Sequence, residues 1–290
     1  MKGFWLLIAG LLLLPAIALA QPNTIKLKGI TVDAANHIPL PFVSLGLKGT
    51  DLGTVSTSNG EFELSVAEKH VSDTVVISMV GYMQLRYTVK ELSQLLKANP
   101  QIPMEAATYT LNEVEVTSKK LRTVTLGNKA TPAGVGMTPF KFSNLGNEIG
   151  LLCKVKGKTT YLEEFNVDIF LNDYDTLFFR LNIYTVENGL PKDNILHEPV
   201  YLKFTGKKGK ANINLQPYNL VVNEDFVVSL EYVKRLKKVD LTRKEQSGLY
   251  FGARKAFGGT VFTRTASQAD WNIISSGLFA PKMAVEAKSQ

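Results

Sequence analysis

The sequence is poor in the residues that carry most metal and thiol chemistry. Its 290 residues include one cysteine and three histidines. A lone thiol makes no intrachain disulfide and no structural zinc site. Cys153 stands in the apolar run Ile149-Gly150-Leu151-Leu152-Cys153, so it is expected to behave as a small buried hydrophobe. His37, His70 and His197 lie far apart in turn-like surroundings, without the H-E-x-x-H spacing of a zinc helix. They read as solvated loop histidines. A G-x-S-x-G elbow, a P-loop and a G-x-G-x-x-G turn are all missing, and Gly134-Val135-Gly136 is only a loop-like fragment. Glu163-Glu164 is an acidic pair, but neighbours on a strand point to opposite faces, so it is no catalytic dyad by itself. The sequence therefore names no catalytic residue, no metal ligand and no cofactor. Long apolar runs are also missing beyond the first twenty or so residues, so no later segment is expected to cross a membrane as a helix.

What is present begins at the N-terminus. Lys2 precedes an apolar core from Phe4 to Leu14, Pro15 breaks it, and Ala18-Leu19-Ala20 forms an A-x-A site before Gln21. Charge, apolar core and small residues in that order make a secretory signal peptide, residues 1–20. The apolar run is short for an uncleaved anchor, and Gln21 stands where a bacterial lipoprotein carries cysteine. The expected location is outside the cytoplasm, in the periplasm or at the cell surface. The net charge of +7 then has no cytoplasmic nucleic acid to meet. Lys203, Lys207, Lys208 and Lys210, and Lys234, Arg235, Lys237, Lys238, Arg243 and Lys244, read as solvated loop faces.

After Gln21 the pattern is β almost throughout. Apolar residues alternate with polar ones at Ile25–Gly29, Val43–Leu47, Phe62–Val66, Met83–Val89 and Val114–Val116. The same period recurs at Phe165–Leu171, Leu177–Tyr184, Ala211–Leu215 and Phe226–Tyr232, with shorter runs at Leu249–Phe251, Thr260–Thr263 and Trp271–Ile274. Period two with one polar face describes a half-buried antiparallel strand. Asn59-Gly60 between two short runs predicts a hairpin. Leu92, Leu95 and Leu96 have helical spacing, so a short surface helix is expected from Glu91 to Lys97. Residues 119–146, rich in glycine and proline, read as a linker that gives the second half a first strand near Thr123–Leu126. The fold class is all-β, with two tandem β-sandwiches at residues 21–118 and 147–290.

Several motifs in the first half fall in a recognisable order. They are Lys28-Gly29-Ile30-Thr31-Val32-Asp33, Ile38-Pro39-Leu40-Pro41-Phe42-Val43, Gly53-Thr54-Val55-Ser56-Thr57, Asn59-Gly60-Glu61-Phe62-Glu63-Leu64 and Ile77-Ser78-Met79-Val80-Gly81-Tyr82. Together they resemble the carboxypeptidase regulatory-like domain, in the version found at the N-terminus of TonB-dependent outer-membrane receptors of Gram-negative bacteria. Leu111–Thr117 is similar to that family's last strand. The resemblance implies a seven-stranded transthyretin-like sandwich that performs no chemistry itself. The rest of the chain is too short for a receptor's plug and barrel, so transport is not implied. Residues Phe179–Tyr184, Gly189-Leu190-Pro191 and Phe226–Glu231 are similar to the jelly-roll domains that accompany such modules.

The best sequence candidates for ligand contact are aromatics flanked by polar groups: Trp271 beside Asp270 and Asn272, and Tyr174 between Asp173 and Asp175. A sugar ring has apolar faces and polar edges, which such sets match. Asn172–Asp175 could also hold Ca²⁺, but no further acid follows, and a polar hairpin turn is the reading preferred. The expected function is binding or assembly, with carbohydrate or another envelope protein as partner. Two rivals are an accessory subunit of an outer-membrane complex and a glycoside hydrolase, the latter requiring two carboxylates facing each other across a cleft.

Overall fold

The computed structural model describes residues 23–108, 121–128, 136–140, 144–239, 248–255, 259–275 and 279–290. The expected signal peptide, the Leu111–Thr117 strand, Gly134-Val135, Arg243 and Lys244 lie outside them.

The first half contains β1 (Thr24–Asp33), β2 (Ser44–Leu47), β3 (Gly53–Val55), β4 (Glu61–Ala67), β5 (Thr74–Ser78), β6 (Leu85–Thr88), α1 (Val89–Ala98) and β7 (Gln101–Met104). They form a three-stranded sheet, β4-β1-β7, and a four-stranded sheet, β3-β2-β5-β6. The alternation in β4 is literal: Phe62, Leu64 and Val66 are buried while Glu61, Glu63 and Ser65 are exposed. These side chains meet Leu45, Leu47, Val75 and Ile77 of the other sheet in one apolar core.

Two local expectations need correction. The strand predicted to run to Val89 stops at Thr88. Thr88 accepts a hydrogen bond from the Glu91 backbone (3.1 Å), and the Glu91 carboxylate accepts one from the Thr88 backbone (2.8 Å). This reciprocal cap starts α1, so Val89 is the first helical residue. The turn at Asn59-Gly60 exists, with Gly60 at φ +75°, but it joins no hairpin. β3 pairs with β2 and β4 with β1, so the turn carries the chain from one sheet to the other. Gly60 is required there because a Cβ would lie 2.6 Å from the Thr31 carbonyl oxygen.

The second half runs through β8 (Arg122–Gly127), β9 (Gly136–Pro139), β10 (Glu148–Cys153), β11 (Thr160–Asn172), β12 (Leu177–Glu187), β13 (Leu190–Asn194), β14 (Val200–Phe204), β15 (Gly209–Asn214), β16 (Val221–Val222), β17 (Phe226–Tyr232), β18 (Leu249–Lys255), β19 (Thr260–Arg264), β20 (Asn272–Ser275), β21 (Phe279–Pro281) and β22 (Met283–Ser289). Among the described residues one sheet has the order β13-β12-β17-β10-β19-β20, with β14 also on β12. The other has the order β21-β18-β11-β22-β8, with β9 on β18 and β15 and β16 on β11. Leu177, Phe179, Leu181 and Ile183 of the first sheet face Phe165, Val167 and Ile169 of the second across a separate apolar core. The chain is an all-β sandwich protein with a single α-helix among the described residues.

The halves are fastened together. Phe42 is held at φ +59°, a strained value for a bulky residue, and its ring packs against Phe178 (5.1 Å between centroids) and Tyr201 (5.6 Å). Backbone meets backbone at Gly46, where a Cβ would lie 1.9 Å from the Ser267 carbonyl oxygen.

Candidate functional site

Strand alternation puts Leu177, Phe179, Leu181 and Ile183 of β12 into the core, so Phe178, Arg180, Asn182 and Tyr184 lie on the opposite face. That face was expected to meet solvent. Instead the first half covers it, and every residue of β17 is buried. The register then builds one row of charge across four neighbouring strands. Arg180 pairs with Glu231, Glu231 with Glu148, and Glu148 with Arg264.

Two buried carboxylates side by side repel, and this row is tolerated because each has its own guanidinium. Arg180 Nη2 lies 2.7 Å from Glu231 Oε2, and Arg264 Nε donates to Glu148 Oε2 at 2.8 Å. Asn182 Nδ2 bridges the carboxylates, donating to Glu148 Oε1 (2.8 Å) and Glu231 Oε2 (2.9 Å). Ser229 Oγ donates to Glu148, and Ser267 Oγ to Glu231 (2.8 Å). Burial pushes the Glu231 carboxyl up, but Arg180, Arg264 and the Asn182 amide outweigh it and hold its pKa at about 2. Arg180 also reaches the first half, donating to the Phe42 carbonyl (2.8 Å) and to Ser44 Oγ (2.5 Å), while Ser44 Oγ donates to Glu231 Oε1 (3.1 Å).

Beside this row the junction opens into a cleft of about 430 Å³. The first half contributes Ser44, Ser78, Met79, Val80, Tyr82 and Gln84 to its walls. The second contributes Arg180, Asn182, Tyr184, Lys192, Asp193, Asn194, Leu196, Glu231, Arg264, Ser267 and Gln268. Such a cleft falls in the ~300–1,000 Å³ range common for small-molecule sites, and it lies where two units meet, a favoured place for them.

The predicted ligand contacts are not brought together. Trp271 packs edge-on to Tyr184 and Phe262, and the Arg264 guanidinium lies 4.5 Å from its ring centre. Tyr174 is half-buried against the main core of the second half. Asp173 is buried, with Oδ2 lacking a hydrogen-bond partner, and Asp175 is exposed and accepts from the Thr176 backbone (2.6 Å). Leu177 to Tyr184 alone spans on the order of 20 Å of strand, which separates the two candidate sets. The Asn172–Asp175 segment is not a hairpin turn either, since it links β11 of one sheet to β12 of the other. Glu148 and Glu231 stand side by side on one sheet face, each bonded to an arginine.

The remaining sequence candidates are simply placed. Cys153 is fully buried, and burial pushes its thiol well up, away from thiolate chemistry. His37 and His197 are exposed, and His70 Nδ1 lies 2.7 Å from Asp73. Glu163 sits at a register shift in β11, and Glu164 accepts from Asn166 (2.8 Å) and Asn212 (3.1 Å). Lys203, Lys207, Lys208 and Lys210 are exposed. No helix among the described residues is long and apolar enough to cross a membrane.

Residues 27–116 match the family model of the CarboxypepD_reg-like domain. A comparison with curated proteins found no match. Among solved structures, the chain is similar to the crystal structure of the infectious bursal disease virus VP2 subviral particle, at 10% identity and a TM-score of 0.26. The alignment covers 92% of this chain and 64% of that one. At that score the likeness supports no conclusion.

Proposed function

We infer, from a chain whose residues 27–116 form a carboxypeptidase regulatory-like domain, a non-enzymatic binding or assembly function outside the cytoplasm of a Gram-negative cell. That domain family is a non-catalytic β-sandwich. In this reading residues 1–20 are a cleaved export signal, residues 21–118 the regulatory-like module and residues 147–290 the second sandwich. The partner is a carbohydrate or another envelope protein.

The observation that carries the reading is the junction itself. Arg180 and Glu231 are spent on holding the halves in one arrangement, and that arrangement leaves a polar cleft walled by both. A general acid needs a proton to give near neutral pH. Glu231, held near 2, has none, and it is bonded by Arg180, Asn182, Ser44 and Ser267. What the site offers is a fixed hydrogen-bonding surface.

Residues 21–290, used as bait on solubilised envelope and then incubated with glycan and peptide substrates, test this. Saturable retention of a ligand or partner without turnover is the expected result. Turnover by the purified chain, abolished by a cleft substitution, would refute it.

A further inference from the structure

We propose that the junction cleft binds an uncharged saccharide, with the two sandwiches gripping it from opposite sides. The inference rests on the binding function just proposed and assigns it a ligand class and a place.

The charges of the cleft are balanced. The cleft looks basic by composition, with Arg180, Arg264 and Lys192 among its walls. Each of these cations is already paired: Arg180 with Glu231 at 2.7 Å, Arg264 with Glu148, and Lys192 with Glu187 at 2.9 Å. An anionic ligand would have to compete with buried carboxylates for guanidiniums that those carboxylates already neutralise. Asp193 adds a negative charge at the rim. The surface therefore has no excess positive charge to offer a phosphate, sulfate or uronate.

The polar groups left in the cleft are neutral amides. Gln84 and Gln268 line the cleft, and their amides both donate and accept. A sugar hydroxyl also does both, so the two chemistries match without any net charge. Gln84 is exposed, and only its carbonyl oxygen is engaged, by Arg86 (2.8 and 3.0 Å). Its NH₂ group is the side available to a ligand.

The cleft also has an apolar component. The Tyr82 hydroxyl is tied to Asp33 Oδ2 at 3.0 Å, so what Tyr82 contributes to the cleft is its ring. Met79, Val80 and Leu196 add apolar surface. A half-buried aromatic ring in the wall beside amides and hydroxyls suits a pyranose, which is apolar on its faces and polar at its edges. Trp271, the more obvious platform in the sequence, has the Arg264 guanidinium against its ring and is not among the cleft residues.

The test uses the chain of residues 21–290 against an array of neutral oligosaccharides and their sulfated, phosphorylated and uronate counterparts, at low and high salt. The variants are Tyr82→Phe, Tyr82→Ala and Gln84→Trp, each checked for an unchanged thermal transition. Gln84 is exposed, so Gln84→Trp obstructs the cleft without entering a core. Salt-insensitive retention of a neutral class is expected, kept by Tyr82→Phe and weakened at least tenfold by Tyr82→Ala and by Gln84→Trp. Three outcomes would overturn the assignment: preference for the charged counterparts with loss in salt, neutral binding that survives Gln84→Trp, or a blank array. None of the three decides the broader binding function, which fails through turnover or through a bait that retains nothing from the envelope. If Tyr82→Ala does not fold, Gln84→Trp alone decides.

Discussion

Arg180 shows how much one side chain can carry here. It is 4% exposed, bonded to Glu231, and donates across the junction to Phe42 and Ser44. Removing one partner of a buried pair leaves the other charged and unpaired, which typically costs about 3–5 kcal/mol. Arg180→Met should therefore destabilise the protein by that order in urea denaturation. Arg180→Met combined with Glu231→Leu should recover much of the loss, since two well-packed apolar groups replace a neutralised pair. Glu231 also makes stability depend on pH. Its folded pKa of about 2 lies below the ordinary 4.5, so its contribution is complete above pH 4.5 and is lost as pH falls from there toward 2. Denaturation midpoints measured down that window should fall steeply in the native chain and less so in Glu231→Gln. In the sequence, Arg180 and Glu231 were visible only as the polar members of alternating strands. Periodicity gives the face a residue occupies, but it cannot say whether another part of the chain covers that face.

The strands and the helix were largely legible because their causes are local. β4 and β11 follow their apolar alternation closely, β12 and β17 form where it predicts strands but are buried on both faces, and α1 follows its leucine spacing. The errors arose where a local signal has two structural outcomes. Thr88 ends a β run and also opens the Thr-x-x-Glu cap that starts α1. Thr88→Ala should cost about 1 kcal/mol in chemical denaturation, and Thr88→Ser far less, because serine keeps the capping oxygen. Asn59-Gly60 forms the tight turn its residues predict, yet the strands on either side pair elsewhere. Gly60→Ala would place a Cβ 2.6 Å from the Thr31 carbonyl oxygen in a left-handed backbone, so a loss of at least ~1 kcal/mol is expected. Strand partners are chosen by the whole sheet, and two residues of turn chemistry do not determine them.

For the whole molecule, the contact between halves decides whether the chain behaves as one body. Ser267 lies against the backbone of Gly46 so closely that even a methyl group would collide with its carbonyl. Gly46→Ala should therefore disturb the junction while sparing both apolar cores. Calorimetry should show one cooperative transition for the native chain and two for this variant, and the cleft between the halves should lose its ligand with the first. The topology of the second sandwich carries a different kind of consequence. β22, the last strand among the described residues, is not at an edge but lies between β11 and β8. β8, which opens that half, has β22 as its ladder neighbour. During synthesis β8 must wait for a partner more than a hundred and fifty residues away, roughly 10–30 s at ~5–20 residues per second. The second half therefore cannot close before β22 has been made. Until then the segment between β8 and β22 stays open and threadable.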